Sequence, residues 1–276
     1  MRRFLRDYRA TIQLSPTEKV VIKPPFRCAF DVFKSVAGGL NRGTFTFWGL
    51  NRTHRLALTK DVEDSTKNIS VTFEVGYEDR VQQIFKGSSM RGEVTRDGAD
   101  LPVELECLDG GFDFVNSFTS QTVSGKNVAI DAVLGDMPNT ERGKITQLSE
   151  LYRPRVLVGA THKVIDGLLT TDERWFIDNE LLYILKATDV VSRDTPVVSP
   201  LTGLLNTPSR EQLRVTFESQ MNPTLRLGGL CDLRSGNAPH LNGVYRLDSM
   251  SYTGDTHGAD WSMTPTGLLM TGCTVL

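Results

Sequence analysis

The sequence predicts a mainly β protein of segregated α+β organisation, and three observations lead there. Strand-type alternation dominates the first hundred residues, apolar spacing turns helical near residue 110, and strand-type runs resume at Arg174. A chain of 276 residues has room for two or three modest domains. The expected division is a first β region at 1–109, a small helical insert at 110–171 and a second β region at 172–276. Strands grouped before and after the helices argue against alternating βα units.

In the first region Cys28, Phe30 and Val32 alternate with Arg27, Ala29 and Asp31. Phe45 and Phe47 alternate with Thr44, Thr46 and Trp48, so both rings are expected in the core. Val71, Phe73, Val75 and Tyr77 form a third such run, and Val103, Leu105 and Cys107 a fourth. Glu104 and Glu106 take the opposite side of that last strand and should face solvent or a partner. Turn-formers separate the runs: Pro24-Pro25, Gly38-Gly39, Asp97-Gly98 and Asp109-Gly110. Asp97-Gly98 suits a tight hairpin because both residues tolerate positive φ. One short helix interrupts, with Asn51 placed to cap Arg52 to Leu58.

Beyond residue 110, Phe112, Val115 and Phe118 recur every third position, as on a helix face. Val128, Ala129, Ala132 and Val133 predict a second helix, which Gly135 can stop. Residues 136–143 are polar and turn-rich and read as an exposed loop. A third helix is expected near 160–169, from Val164, Ile165, Leu168 and Leu169. Trp175-Phe176-Ile177 and Leu181 to Leu185 then flank Asp178-Asn179 as a hairpin. A Pro/Thr/Ser-rich loop at 192–211 follows, and strands at Val215 and Phe217, Leu230 to Leu233, Tyr245 to Met250 and Trp261 to Met263 complete the chain.

Composition bounds the function. Apolar residues at 39% and charged residues at 23% permit an ordinary core. No window approaches the ~20 apolar residues of a membrane span, and no apolar stretch follows the early arginines as in a signal peptide. Cys28, Cys107, Cys231 and Cys273 are scattered without a CxxC pair and are expected as buried thiols rather than disulfides or zinc ligands. Residues 1–60 hold twelve Lys/Arg against three acids, a balance of +9. The remaining residues hold nineteen Lys/Arg against thirty acids, a balance of −11. Such polarity suits an assembly component that sets a basic face on an acidic neighbour; nucleic-acid contact is the competing reading. The early cluster Arg2, Arg3, Arg6 and Arg9 is the candidate partner interface, an arm ahead of the first strand.

Chemical motifs are sparse. There is no GxxxxGK[ST] loop, no GxGxxG after a strand, no HExxH and no GxSxG, so no cofactor and no catalytic residue are expected. His54 and His162 lie in helical stretches without a second His at i+4, and read as packing or surface residues. The one concentration of ligand-type residues is Asp255, His257 and Asp260. It allows a metal-dependent hydrolase as the alternative function. Turn-formers Asp255 and Gly258 between strands favour a plain loop instead.

Several separated segments carry a family resemblance. They are Phe30-Asp31-Val32-Phe33-Lys34-Ser35 with Asn41-Arg42-Gly43-Thr44-Phe45-Thr46-Phe47-Trp48-Gly49-Leu50-Asn51, Val75-Gly76-Tyr77-Glu78-Asp79 with Ile84-Phe85-Lys86-Gly87, and Glu106-Cys107-Leu108-Asp109-Gly110. Later come Ser199-Pro200-Leu201-Thr202-Gly203-Leu204-Leu205, Met221-Asn222-Pro223-Thr224-Leu225-Arg226-Leu227-Gly228, and Asn242-Gly243-Val244-Tyr245-Arg246-Leu247 ahead of Gly254 to Trp261. In this order they resemble the baseplate hub proteins of contractile-tailed phages, relatives of the hub part of type VI secretion spikes. One departure is Tyr252, which stands where the family's "H-x-G-D" pattern begins with His. The resemblance implies two antiparallel β-barrel, tube-like domains joined by the helical insert. It also implies a non-enzymatic homotrimer that joins tail tube proteins to a central spike protein beside other baseplate subunits. DNA would pass through its lumen without specific binding. The implied location is the virion tail baseplate, assembled in the host cytoplasm.

Overall fold

Period-two apolar spacing produces strands throughout the computed structural model, which describes residues 5–37, 39–64, 66–78, 80–148, 153–270 and 272–276. Gly38 and Asp79 of the motifs above, and the candidates Arg2 and Arg3, lie outside the described residues. The first region runs β1 (Arg6–Gln13), β2 (Lys19–Ile22), β3 (Cys28–Ser35), β4 (Arg42–Phe47), helix α1 (Arg52–Leu58), β5 (Ser70–Tyr77), β6 (Arg80–Val94) and β7 (Val103–Leu108). Next come α2 (Gly111–Asn116), β8 (Phe118–Val123), α3 (Lys126–Gly135), β9 (Glu141–Ile145), β10 (Arg155–Ala160) and α4 (Thr161–Leu168). The last region holds β11 (Glu173–Asp178), β12 (Leu181–Lys186), β13 (Asp189–Val190), β14 (Val197–Val198), β15 (Ser209–Glu211), β16 (Arg214–Thr216), β17 (Ser219–Gln220) and β18 (Leu230–Leu233). It ends with β19 (Gly243–Asp255), β20 (Trp261–Leu269) and β21 (Thr274–Val275).

The fold is mainly β and mainly antiparallel. Fourteen strands form one hydrogen-bonded sheet along the path β15-β16-β20-β19-β3-β4-β7-β6-β5-β1-β2, with β18, β14 and β17 attached beside it. First and last regions are therefore one sheet. The junction is the antiparallel pair β3–β19, with Val32 opposite Tyr252 and Ala29 opposite Asp255.

Two cores result. The larger lies under the sheet and contains the alternating residues of both β regions, including Phe30, Phe45, Phe47, Phe73, Phe85, Tyr252 and Met263. Phe45 and Phe47 are fully buried, and Phe45 packs 4.6 Å from Phe73 and 5.4 Å from Phe85 between ring centroids. Full burial of such a ring contributes roughly 1.5–3 kcal/mol. The smaller core gathers Val123, Ala129, Ile130, Val133, Leu157, Ile165 and Leu168 against Trp175, Ile177, Leu182 and Ile184 of β11 and β12. The Trp175 indole N–H also donates to Asp166 at 2.6 Å. The β11–β12 hairpin serves both cores, because Phe176 and Leu185 belong to the larger one. Burial on both faces explains why its sequence is a near-continuous apolar run rather than an alternation.

Local chemistry behaves as expected at α1, where Asn51 accepts from the His54 N–H at 2.8 Å, and at Gly135, the last residue of α3. Elsewhere the structure differs. α2 stops at Asn116, and Phe118 opens β8 instead of continuing the helix. Three-residue spacing fits one helical turn followed by a strand as well as it fits a longer helix. The expected loop at 136–143 gives up Glu141 to Gly143 to β9, which pairs in parallel with β12. That pairing is with a distant strand, so no local alternation announces it. The insert is likewise not purely helical, since β8 and β10 form an antiparallel two-stranded ribbon. Cys28, Cys107 and Cys231 are buried thiols, but Cys273 near the chain end is exposed. No helix is long and apolar enough to cross a membrane.

Candidate assembly site

Two sets of sequence candidates meet in space. Arg6 and Arg9 fall within β1, so they do not form an arm ahead of it. Arg6 reaches the segment after β19 and donates from Nη1 to the carbonyls of Asp255 (2.7 Å), Gly258 (2.7 Å) and Asp260 (3.3 Å), and from Nη2 to Ala259 (2.7 Å). Its guanidinium also lies 5.6 Å from the centre of the Trp261 ring. Arg27, just before β3, grips the Asp255 carboxylate from Nη2 at 2.8 Å and Nε at 3.3 Å, and covers Trp48 at 4.1 Å. Asp255 also accepts the backbone N–H of His257 at 2.9 Å. The Arg27 hydrogen bond holds the Asp255 carboxyl below the usual carboxylate range despite partial burial.

This overturns the metal-centre alternative at Asp255, His257 and Asp260. Asp255 is committed to Arg27 and the turn, and His257 Nδ1 faces the Thr256 hydroxyl at 3.1 Å. Asp260 closes the loop through its carbonyl, which accepts the Asp255 N–H at 2.8 Å. Among the described residues no three His, Cys, Asp or Glu are grouped to hold a metal ion. Arg9 is half-exposed, with Glu74 at 3.7 Å. His162 stacks on Phe114 at 4.0 Å, a packing role.

A second tie, missed in the sequence, fixes the β11–β12 turn to the first β region. Asn179 and Glu180 both adopt positive φ, 57° and 62°, as in a two-residue hairpin turn. Their N–H groups donate to the buried carboxylate of Asp109, at the end of β7. Asp178 pairs with Lys34 of β3, whose ammonium is buried. Glu180 pairs with Lys86 of β6 at 2.5 Å. Asn41 donates to the Ile177 carbonyl at 2.7 Å and receives the Ser35 N–H at 3.0 Å. Gly110, at φ +66°, must lack a side chain, because a Cβ there would meet Ile177 at 2.6 Å. Burial, then the neighbouring Asp178 charge, pushes the Asp109 carboxyl up to about 7, against the pull of Lys34. Of these groups Lys34, Lys86, Asp178, Asn179 and Glu180 line a cleft of about 610 Å³ with Gln82, Gln83, Tyr183 and Arg226. One signal could have found Lys34: it shares strand parity with Cys28, Phe30 and Val32, so its side chain had to point inward.

A continuous antiparallel sheet bridged to a mixed insert, with arginine and lysine ties that serve the fold, defines a class. Solved structures place this fold among phage tail proteins and type VI secretion components. It is similar to the 43 kDa tail protein of prophage MuSo2 from Shewanella oneidensis, with TM-score 0.66, 8% identity, and 95% of this chain and 96% of that one covered. It is also similar to a tail protein of Neisseria meningitidis MC58, with TM-score 0.63, 7% identity, and 95% and 96% covered. A third likeness is the E. coli c3393 protein, described as a type VI secretion component similar to T4 bacteriophage tail proteins gp27 and gp5; TM-score is 0.62, identity 8%, and coverage 94% and 77%. No curated protein matches the sequence. Within this class the chain belongs to the family described as Baseplate hub gp41, whose model matches residues 9–267.

Proposed function

We infer that the chain is the structural, non-enzymatic hub of a contractile phage tail. Three copies form a ring that joins tail tube proteins to the central spike protein and contacts other baseplate subunits. The ring continues the DNA channel without specific DNA binding, in the virion tail baseplate, and is assembled in the host cytoplasm. The observation that carries this reading is the family match over residues 9–267. It supports two tube-like barrel domains as well, divided at 1–109 and 172–276 around the insert at 110–171, with ring contacts completing what is an open sheet in one chain. The open ends are β2 and β15, each paired on one side among the described residues. The basic first sixty residues would meet an acidic neighbour, through Arg2, Arg3 and the half-exposed Arg9. Arg6 would serve that interface by fixing the adjacent loop. A density map of the tail tip tests the reading. Three copies around the axis are expected, and six copies or one would refute the ring.

A further inference from the structure

The strand β6 changes partners along its length. β5 pairs with it from Arg80 to Ser88, whereas β7 holds its other edge only from Ser88 to Val94. Among the described residues no strand takes that other edge from Arg80 to Lys86. Gln82, Gln83, Ile84 and Lys86 of this stretch line the cleft of about 610 Å³, a size within the ~300–1,000 Å³ of ligand clefts. The buried Leu225 and Leu227 give the cleft an apolar depth. Lys86 ties the strand to the β11–β12 turn through Glu180 at 2.5 Å. The charges of the lining nearly cancel. Lys34 and Lys86 are paired with Asp178 and Glu180. The exposed Arg226 and Glu141, of opposite sign, have no ion pair among the described residues. Asn179 also lines the cleft, and its Oδ1 is buried without a hydrogen-bond partner among those residues, an acceptor still to be met.

We propose that the cleft is a strand-addition site for a short extended segment of a neighbouring tail protein. A bare strand edge offers backbone N–H and C=O groups to an extended guest. Main-chain pairing then supplies affinity, and pockets for alternate side chains supply specificity. The edge from Gln82 to Lys86 is about 15 Å long at ~3.3 Å per residue, room for roughly four or five guest residues. A bulge at Ile84 divides it. Bulges of this kind keep an edge from pairing with every passing strand, so a short guest held by the cleft is favoured over open sheet growth. Side chains of the guest alternate between the apolar depth at Leu225 and Leu227 and the rim. At the rim Arg226 selects a carboxylate, so the guest carries an apolar residue next to an acidic one. Nucleic acid is a poor occupant, because Asp178, Glu180 and Glu141 in the lining repel phosphates and one free arginine does not offset them. That the donor is a tail protein rests on the hub reading above; that the cleft takes an extended segment rests on its own geometry.

The test has two arms. In the first, displayed random heptapeptides are selected on the purified chain and counter-selected on Arg226→Glu, a change at an exposed side chain. Arg226→Gln takes its place should the reversal fold poorly. A recovered peptide should bind the parent and lose at least tenfold in affinity on the variant, with circular dichroism unchanged. N-methylation of its backbone should abolish binding at alternate residues only. Failure to recover such a peptide, or tolerance of N-methylation at every residue, would overturn the strand-addition site. In the second arm, a benzoylphenylalanine in place of the exposed Gln82 is photolysed in assembled tails. It should join to one segment of a different tail protein, and the adduct should fall at least tenfold with Arg226→Glu. An adduct only to another copy of this chain, or to DNA, would overturn the assigned partner. So would tails that contain the chain but give no adduct from position 82 or from the neighbouring Gln83. Tails lacking the chain would sink the hub reading instead, and the peptide arm would still decide the cleft.

Discussion

Two ties fasten distant parts of this chain, and they work in opposite environments. The first, Arg6 and Arg27 on the 255–260 loop, sits at the surface, where water competes for every partner. The second, at the β11–β12 turn, is mostly buried: Lys34 and Asp109 are almost closed off from solvent, and Asp178 keeps only 14% of its side chain exposed, at the edge of the cleft. Both use about the same number of charged groups. They differ in what remains when one group is removed. At the surface a widowed carbonyl or carboxylate is rehydrated. In the interior it stays dry, and that penalty exceeds anything the intact pair contributed. The buried tie is thus a device of specificity, holding one turn in one place, more than a source of net stability.

The sharpest way to break the comparison is Lys34→Ala. It strands Asp178 beside Asp109 and should cost about 3–5 kcal/mol, read from denaturant midpoints. The double change Lys34→Met with Asp178→Asn should cost clearly less, because no charge is left unpaired; equal losses would mean that the pair is ordinary packing. Asp109→Ala comes next. It leaves two turn N–H groups without acceptors and should cost about 1–3 kcal/mol.

Titration separates the ties further. Asp109 has its carboxyl raised from 3.8 to about 7 by burial. The native state then holds a proton that the unfolded chain has released, so this group's contribution falls as pH rises from about 4 to about 7. Asp255 has the reverse sign. Its carboxyl is lowered by Arg27, so its contribution is lost only as pH falls below the ordinary carboxylate value. Between pH 5 and pH 8 Asp109→Asn should lose less stability than the parent, while Asp255→Asn should track the parent. Parallel curves for Asp109→Asn and the parent would remove Asp109 as the titrating group.

Smaller effects belong to the surface tie. Arg6→Ala should cost about 1–2 kcal/mol, since four carbonyl contacts are replaced by water. Its clearer sign is faster proteolysis within 255–260. Arg9→Glu sets two glutamates opposite each other on β1 and β5 and should cost about 0.2–1 kcal/mol. Any larger effect of Arg9→Glu on tail assembly would then report on a partner rather than on the fold.

Strands were legible because their alternation is local. Phe45 and Phe47, or Val71 to Val75, declare their inward face within five residues. The β11–β12 hairpin was legible too, from a continuous apolar run, although its turn falls at Asn179-Glu180, one residue beyond the expected position. What could not be read was anything decided by a far partner. β9 is a strand only because β12 lies beside it. Arg6 looked like a free arm until a loop 250 residues away closed over its guanidinium. Loop status for Asp255 to Asp260 was foreseen from its turn-formers, but not that arginines held it. Lys34 alone among the tie residues carried a local signal, its parity, and a basic residue at a buried parity position marks a buried counter-charge elsewhere.

The β3–β19 seam also sets a schedule. β3 is complete by Ser35, but its partner begins at Gly243, with roughly two hundred residues between them. At ~5–20 residues per second a ribosome needs on the order of 10–40 s to deliver β19. Throughout that interval Cys28 to Ser35 can bond β4 on one side while its other edge stays bare. The insert core around Ile130 and Ile165 draws on β11 and β12, which emerge well before β19, so it can close first. The nascent chain passes through a stage with a finished insert and an unsealed sheet, and that stage is where neighbouring nascent copies would cross-pair.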